Sequence, residues 1–221
     1  MTSFALVFDL DGTLIDSAPD VRAALNLLLA EEGRPRLSLA QVQDLVGEGA
    51  RALIERAWTV TGDSADPGAV AELVGRYLAH YRAHPADHTH VYDGVREELA
   101  RLTAAGVPLG ICTNKPDAMT KIVLDALDLS RHFRAMVGGD FARRKPDGEH
   151  IRETLRRMGV EGMAALYVGD SATDVGAARD AGLPVIAVTY GYARMPVERL
   201  GADRLIGHFA ELGPTIAGLL P

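Results

Sequence analysis

The sequence predicts an α/β fold, a doubly wound parallel sheet with an all-helical segment inserted behind its first strand. Three observations carry that expectation. Short apolar or β-branched runs recur at 4–8, 107–113, 135–138, 166–168 and 185–188. The later runs alternate with "GVREELARLTAAG", "DAMTKIVLDALDL", "HIRETLRRMG" and "ATDVGAARDAG", whose apolar residues fall at helical spacing and which often stop at glycine. From about residue 18 to residue 84 the alternation lapses and every stretch reads as helix. Strands alternating with helices pack as a parallel sheet covered on both faces, and ligands bind beyond the carboxyl ends of such strands. The expected organisation is therefore a core of residues 1–17 and 85–221, with a helical insertion over 18–84.

The first run, "FALVF", ends in Asp9, and Asp11 follows two residues later. Residues i and i+2 of a strand share a face, roughly 6–7 Å apart along the strand. A buried sheet end tolerates two like charges there only if a cation or a shared proton relieves them. In the insertion, "DVRAALNLLLAEEG", "SLAQVQDLVG", "ARALIERAWTV" and "GAVAELVGRYLAHYRAH" are helical patterns, the second opened by a Ser38 cap. The second core run finishes "ICTNKP", which places Thr113, Asn114 and Lys115 where strand becomes loop. Beyond the third run lies "RRKPDG" with Lys145, and the fourth ends "YVGDSATD" with Asp170 and Asp174. Each strand tip thus offers a ligand suited to phosphate or to a hard metal ion.

Composition limits the partners. A net charge of −7 argues against non-specific binding to nucleic acid or anionic lipid. No stretch is long enough to span a membrane, and the apolar run near the start lacks a basic segment before it and is interrupted by Asp9 and Asp11. The lone Cys112 cannot form an intramolecular disulfide, which fits a reducing compartment. A cytoplasmic protein acting on a small molecule is the expectation.

The strand-tip residues resemble the four motifs of the haloacid dehalogenase (HAD) superfamily: "DLDGT", "TN", "KP" and "GDSATD", in that order. The insertion falls where that superfamily carries an α-helical cap on its Rossmann-like core. "VPLGICTNKP", "GLPVIAVTYGY" and "VGEGARALIERA" are similar to its phosphoglycolate phosphatase branch. The resemblance implies a Mg²⁺-dependent phosphatase acting on a small phosphorylated metabolite. Mg²⁺ takes hard oxygen ligands, here Asp9, Asp170 and the carbonyl at Asp11, with Asp174 steadying them from behind. Asp9 would attack phosphorus and form an aspartyl phosphate, while Asp11 protonates the leaving alcohol and then deprotonates water. Gly12, Thr113, Asn114 and Lys145 would hold the phosphoryl oxygens.

Substrate choice would fall to the insertion. In "VGEGARAL", Gly47 and Gly49 allow close backbone approach, the following helix begins with free N–H groups, and Arg51 lies in its first turn, so the loop suits a short carboxylate; Glu48 is expected to face solvent. β-Phosphoglucomutase and a broad sugar-phosphate or nucleotide phosphatase share the motifs and remain alternatives. A phosphoaccepting signalling module has no reason to keep an acid two residues from its nucleophile. "GEGARA" follows a helical pattern and so fails the context of a dinucleotide fingerprint. His84, His88 and His90 in "HPADHTH" read as a return linker rather than a zinc site. After "KP" the superfamily usually places another proline; here Gly148 stands nearby and is expected to loosen the loop.

Overall fold

The computed structural model describes residues 4–219. Strand β1 (Phe4–Phe8) is followed by a two-residue strand β2 (Ile15–Asp16) and by helices α1 (Ala18–Glu31), α2 (Leu39–Gln43), α3 (Ala50–Thr61) and α4 (Val70–Ala83). The chain returns through β3 (His90–Val91) and then alternates through α5 (Val95–Ala104), β4 (Leu109–Cys112), α6 (Asp117–Ala126) and β5 (Ala135–Val137). It ends with α7 (Glu149–Met158), β6 (Ala164–Gly169), α8 (Ala172–Ala181), β7 (Val185–Val188), β8 (Arg204–Ile206) and α9 (Leu212–Ile216).

Six strands form one parallel sheet in the order β5-β4-β1-β6-β7-β8. Strand β1 lies inside it, with Leu6 opposite both Leu109 and Leu166. A strand paired on both edges and covered on both faces must be apolar throughout, and Ala5, Leu6, Val7 and Phe8 are all fully buried. Their alternation divides the core: Ala5 and Val7 pack with Ile151, Tyr167 and Val185, whereas Leu6 and Phe8 join a cluster that continues into the inserted helices. Burying Leu6, Val7 and Phe8 contributes about 1.5–3 kcal/mol each. The sheet is thus anchored on both sides of the strand that carries Asp9.

The inserted helices show the expected periodicity. In α1, Val21, Ala24, Leu25, Leu28 and Leu29 form the buried stripe, which packs on Leu73, Tyr77 and Tyr81 of α4. Ser38 caps α2 by accepting from Gln41 N, while the Gln41 side chain accepts from Ser38 N. This helix, with no strand, precedes "GEGARA", so the dinucleotide context is absent. Both crossings between insertion and core run through one antiparallel ribbon, Ile15 opposite Val91 and Asp16 opposite His90. The buried Asp20 carboxylate in α1 holds the return crossing by accepting from His88 N, Thr89 N and Thr89 Oγ1. No helix among the described residues is long and apolar enough to cross a membrane.

Gly148 does not loosen its loop. It precedes α7 with ordinary helical φ of −66°, donates to Asp180 Oδ2 at 2.7 Å, and lies so close to α8 that a Cβ would come within 2.7 Å of Asp180 C and would also collide with Ala181 N. The glycine is needed for helix approach, not for flexibility. Gly148→Ala is therefore expected to destabilise the protein by about 1–3 kcal/mol, as overpacked sites do. Gly75→Ala, in α4 with open space around the added carbon, is expected to stabilise it by up to about 1 kcal/mol. Denaturant melts of the two variants check the contrast.

Candidate active site

The carboxyl ends of β1, β4 and β6 bring the predicted residues together. Asp9 follows β1 directly, and its N–H donates to Val168 O at 2.9 Å, which fixes its backbone to the end of β6. The chain then turns at Gly12, with φ of 86°; a Cβ there would collide with the Asp170 carboxylate. Asp170 follows β6, and Asp174 sits in the first turn of α8. Ser171 caps this helix by accepting from Asp174 N, while Asp174 Oδ2 accepts from Ser171 N at 3.0 Å, Ser171 Oγ at 2.6 Å and Asp170 N at 3.2 Å.

Lys145 is buried at the centre of this cluster. Its Nζ lies 2.8 Å from Asp9 Oδ1, 2.7 Å from Asp174 Oδ1 and 2.9 Å from Tyr167 OH. The Tyr167 hydroxyl also lies 2.9 Å from Cys112 O, so the network reaches β4. Burial opposes the ammonium, but Asp174 and Asp9 outweigh it and hold the Lys145 pKa above the lysine range. Burial also raises Asp174, yet the lysine and the hydrogen bonds from Ser171 bring it below the usual carboxylate value. The backbone N–H of Lys145 donates to His150 Nδ1 at 3.2 Å, and His150 Nε2 meets Gly138 O at 3.1 Å. Burial, then the neighbouring Lys145, lowers the His150 pKa to about 4, so a neutral imidazole positions the lysine loop. Cys112 is pushed up to about 12 by burial and offers no thiolate at neutral pH.

Asp9, Asp170 and Asp174 each present a carboxylate oxygen within 4.8 Å of the others, and all three residues are buried. Against these three charges Lys145 supplies one. In this state Asp9 is raised to about 6 and Asp170 well above its ordinary value, in both cases mainly by burial, with Asp174 adding to it. Asp9 Oδ1 is close enough to Lys145 for an ion pair, but no donor addresses it with hydrogen-bond geometry. Asp174 is fully engaged by its partners. Two buried carboxylates with hard oxygen donors and excess negative charge fit a magnesium ion, with Asp9 and Asp170 as ligands and Asp174 as support.

Asp11 lies apart from that cluster. Its two oxygens are 3.0 and 3.1 Å from Lys115 Nζ, and Ser17 Oγ donates to Oδ1 at 2.5 Å. Lys115 also donates to Tyr81 OH of α4 at 2.8 Å. Of the residues at the tip of β4, Thr113 is buried beside Asp9 in a cavity of about 40 Å³ under the inserted helices. Asn114 also lines that cavity, and its Nδ2 donates to Gly47 O at 3.0 Å and Lys145 O at 3.2 Å, so its amide ties insertion to core.

Gly47 and Gly49 line the cavity, but Arg51 does not. Helix α3 starts at Ala50, so Arg51 falls on its outer face, is more than half exposed, and pairs with Glu55 at 2.8 Å. Glu48 does not point freely to solvent either. It pairs with Arg56 and with Arg194 Nη1, the latter at 2.8 Å, while Arg194 Nη2 donates to Val46 O at 2.7 Å. His84 pairs with Asp87 on the surface, and His90 lies in β3, so the histidines do not converge.

The family model for haloacid dehalogenase-like hydrolases matches residues 6–188. The chain is 45% identical to the phosphoglycolate phosphatase of Rhodospirillum rubrum over 95% of its length and 89% of the relative's. It is 42% identical to that of Caulobacter vibrioides over 97% and 91%. Among solved structures, a predicted phosphoglycolate phosphatase from Haemophilus somnus superposes with a TM-score of 0.88 at 28% identity, covering 98% of this chain and 99% of that one. CbbY from Rhodobacter sphaeroides in complex with phosphate gives 0.82 at 27% identity, covering 96% and 97%.

Protons on Asp9 and Asp170 must leave before a cation binds, so magnesium affinity is expected to rise with pH through about 6. Thermal melts should show a rise in Tm on adding Mg²⁺ that is larger above pH 6 than near about pH 5. Asp170→Asn should remove most of the rise at either pH.

Proposed function

The chain belongs to the haloacid dehalogenase-like hydrolase family and is a phosphatase, and on that premise we propose that it is a magnesium-dependent phosphomonoester hydrolase acting through Asp9 on 2-phosphoglycolate. The observation that carries the chemistry is the arrangement around Asp9: a buried carboxylate at a strand tip, held by Lys145 on one side, with Asp11 lining the same cavity. The bound cation would neutralise the phosphate dianion and so let a carboxylate approach it.

Asp9 attacks phosphorus, and the bond from phosphorus to the ester oxygen breaks. Asp11, having taken a proton from solvent in the substrate complex, delivers it to that oxygen, so the alcohol leaves neutral. The resulting Asp11 carboxylate then takes a proton from water, whose oxygen displaces phosphate from Asp9 and restores the nucleophile. Lys145 keeps Asp9 oriented and offsets charge that builds on the phosphoryl oxygens, and the hydroxyl of Thr113, which lines the same cavity as Asp9, would share that role.

The substrate reading draws on the relatives and on the cavity. The cavity of about 40 Å³ beneath the insertion holds on the order of three waters and would take a two-carbon leaving group, and Asp9 and Asp11 also border a second cavity of about 220 Å³ on the side of Tyr192 and Arg194. The inserted helices and Asp11 also speak against a signalling phosphoacceptor, whose phosphoaspartate must persist.

Asp9→Asn keeps the shape and removes the nucleophilic charge, so turnover is expected to fall at least about a thousand-fold, with melting behaviour retained. Steady-state phosphate release, with and without chelator, measures this; full activity in either case overturns the mechanism. Asp11→Asn should slow release of ordinary alcohols far more than of an activated leaving group such as a nitrophenol. With the activated ester it should show a burst as phosphoenzyme accumulates, and equal impairment on both esters without a burst would assign Asp11 another role.

A further inference from the structure

We infer that Lys115 is the residue that selects the substrate, by receiving an acidic group carried next to the ester oxygen, so that the enzyme prefers phosphate esters of short hydroxy acids. This rests on the phosphatase reading above and assigns the part of the site that binds the leaving group.

The cavity beside Asp9 and Asp11 is walled mainly by apolar side chains, among them Val21, Val46, Leu53, Tyr77 and Leu78. Among the described residues Lys115 is the single cation that lines it, and its side chain is only 4% exposed. Burying an ammonium is costly unless a negative partner meets it. Here that partner is Asp11, through both oxygens, with Tyr81 OH as a third acceptor and the Tyr81 ring centre 4.6 Å away. Asp11 has a second holder in Ser17 Oγ, so fixing the acid does not by itself call for a lysine.

Position argues the same way. Asp11 must meet the ester oxygen, and Lys115 touches Asp11. A group that reaches Lys115 must therefore lie within one or two bonds of that oxygen. The carboxylate of a 2-phosphohydroxy acid does. It would take the ammonium's charge, and Asp11 would be free to turn toward the ester oxygen. A neutral alkyl ester leaves Lys115 on Asp11, and an uncharged polyol brings no negative group to take its place.

The test compares kcat/KM for 2-phosphoglycolate with that for its neutral amide and for ethyl phosphate, in wild type, Lys115→Met and Lys115→Arg, with a thermal melt of each. Loss of one charge-assisted contact predicts that Lys115→Met lowers the acid-to-neutral preference about 10- to 100-fold beyond any loss common to all three esters. Lys115→Arg should keep more of the preference. The wild-type comparison stands even if a variant fails to fold. Phosphoglycolate turnover no better than that of its amide in wild type overturns the inference, and so does an equal loss on all three esters in Lys115→Met, which would reduce the lysine to a holder of Asp11. Wild-type turnover of sugar phosphates with none of phosphoglycolate would instead overturn the substrate reading itself.

Discussion

Lys145 carries one positive charge into a place where three carboxylates meet, and the order of the site follows from it. Without it, Asp9 and Asp174 would repel each other in an interior that screens charge poorly. With it, Asp174 is held ionised, Asp9 is oriented, and Tyr167 is drawn into a network that reaches the backbone of β4. The arrangement is still one cation short, which leaves Asp9 and Asp170 inclined to hold protons. The same deficit that makes the site costly to fold is what a bound cation would relieve.

The second charge pair follows a different logic. Lys115 and Asp11 balance one another, so they cost less to bury, but they bind each other at the expense of whatever else they might touch. In the mechanism proposed above, one pair would arrange the phosphoryl half of the reaction and the other the leaving half. Asn114, with Gly47 O on one side and Lys145 O on the other, joins the two halves through the inserted helices.

Much of this could be read from residues alone, because the chemistry stands at strand tips. Asp9, Thr113 and Asp170 each stand at the end of an apolar run, where a polar residue needs a reason, while Lys145 and Asp174 lie further along and are read through the motifs "KP" and "GDSATD". Tyr167 and His150 could not be read so, since a tyrosine inside a strand and a histidine on a helix look like packing until their partners are known. Lys115 was placed at a strand end but its partners are 34 and 104 residues away in sequence. Arg51 does lie in the first turn of α3 as the pattern predicts, but a helix start does not fix which way a side chain leaves it, and here it runs outward to Glu55. Strand β8 and the β2–β3 ribbon are too short to show a period of two.

That ribbon has a consequence for how the enzyme could have come about. Because the chain leaves the core and re-enters it at neighbouring residues, paired Ile15 to Val91 and Asp16 to His90, the sheet closes over the same ends whatever hangs between them. A replacement segment has only to span the gap of one strand pair, roughly 5 Å, to leave every strand of the sheet in place. The apparatus that breaks the ester, with Lys115 beside it, and the apolar walls that close over it can therefore be inherited separately, so the size and shape of what is admitted can change by exchanging the inserted segment without disturbing the carboxylates beneath.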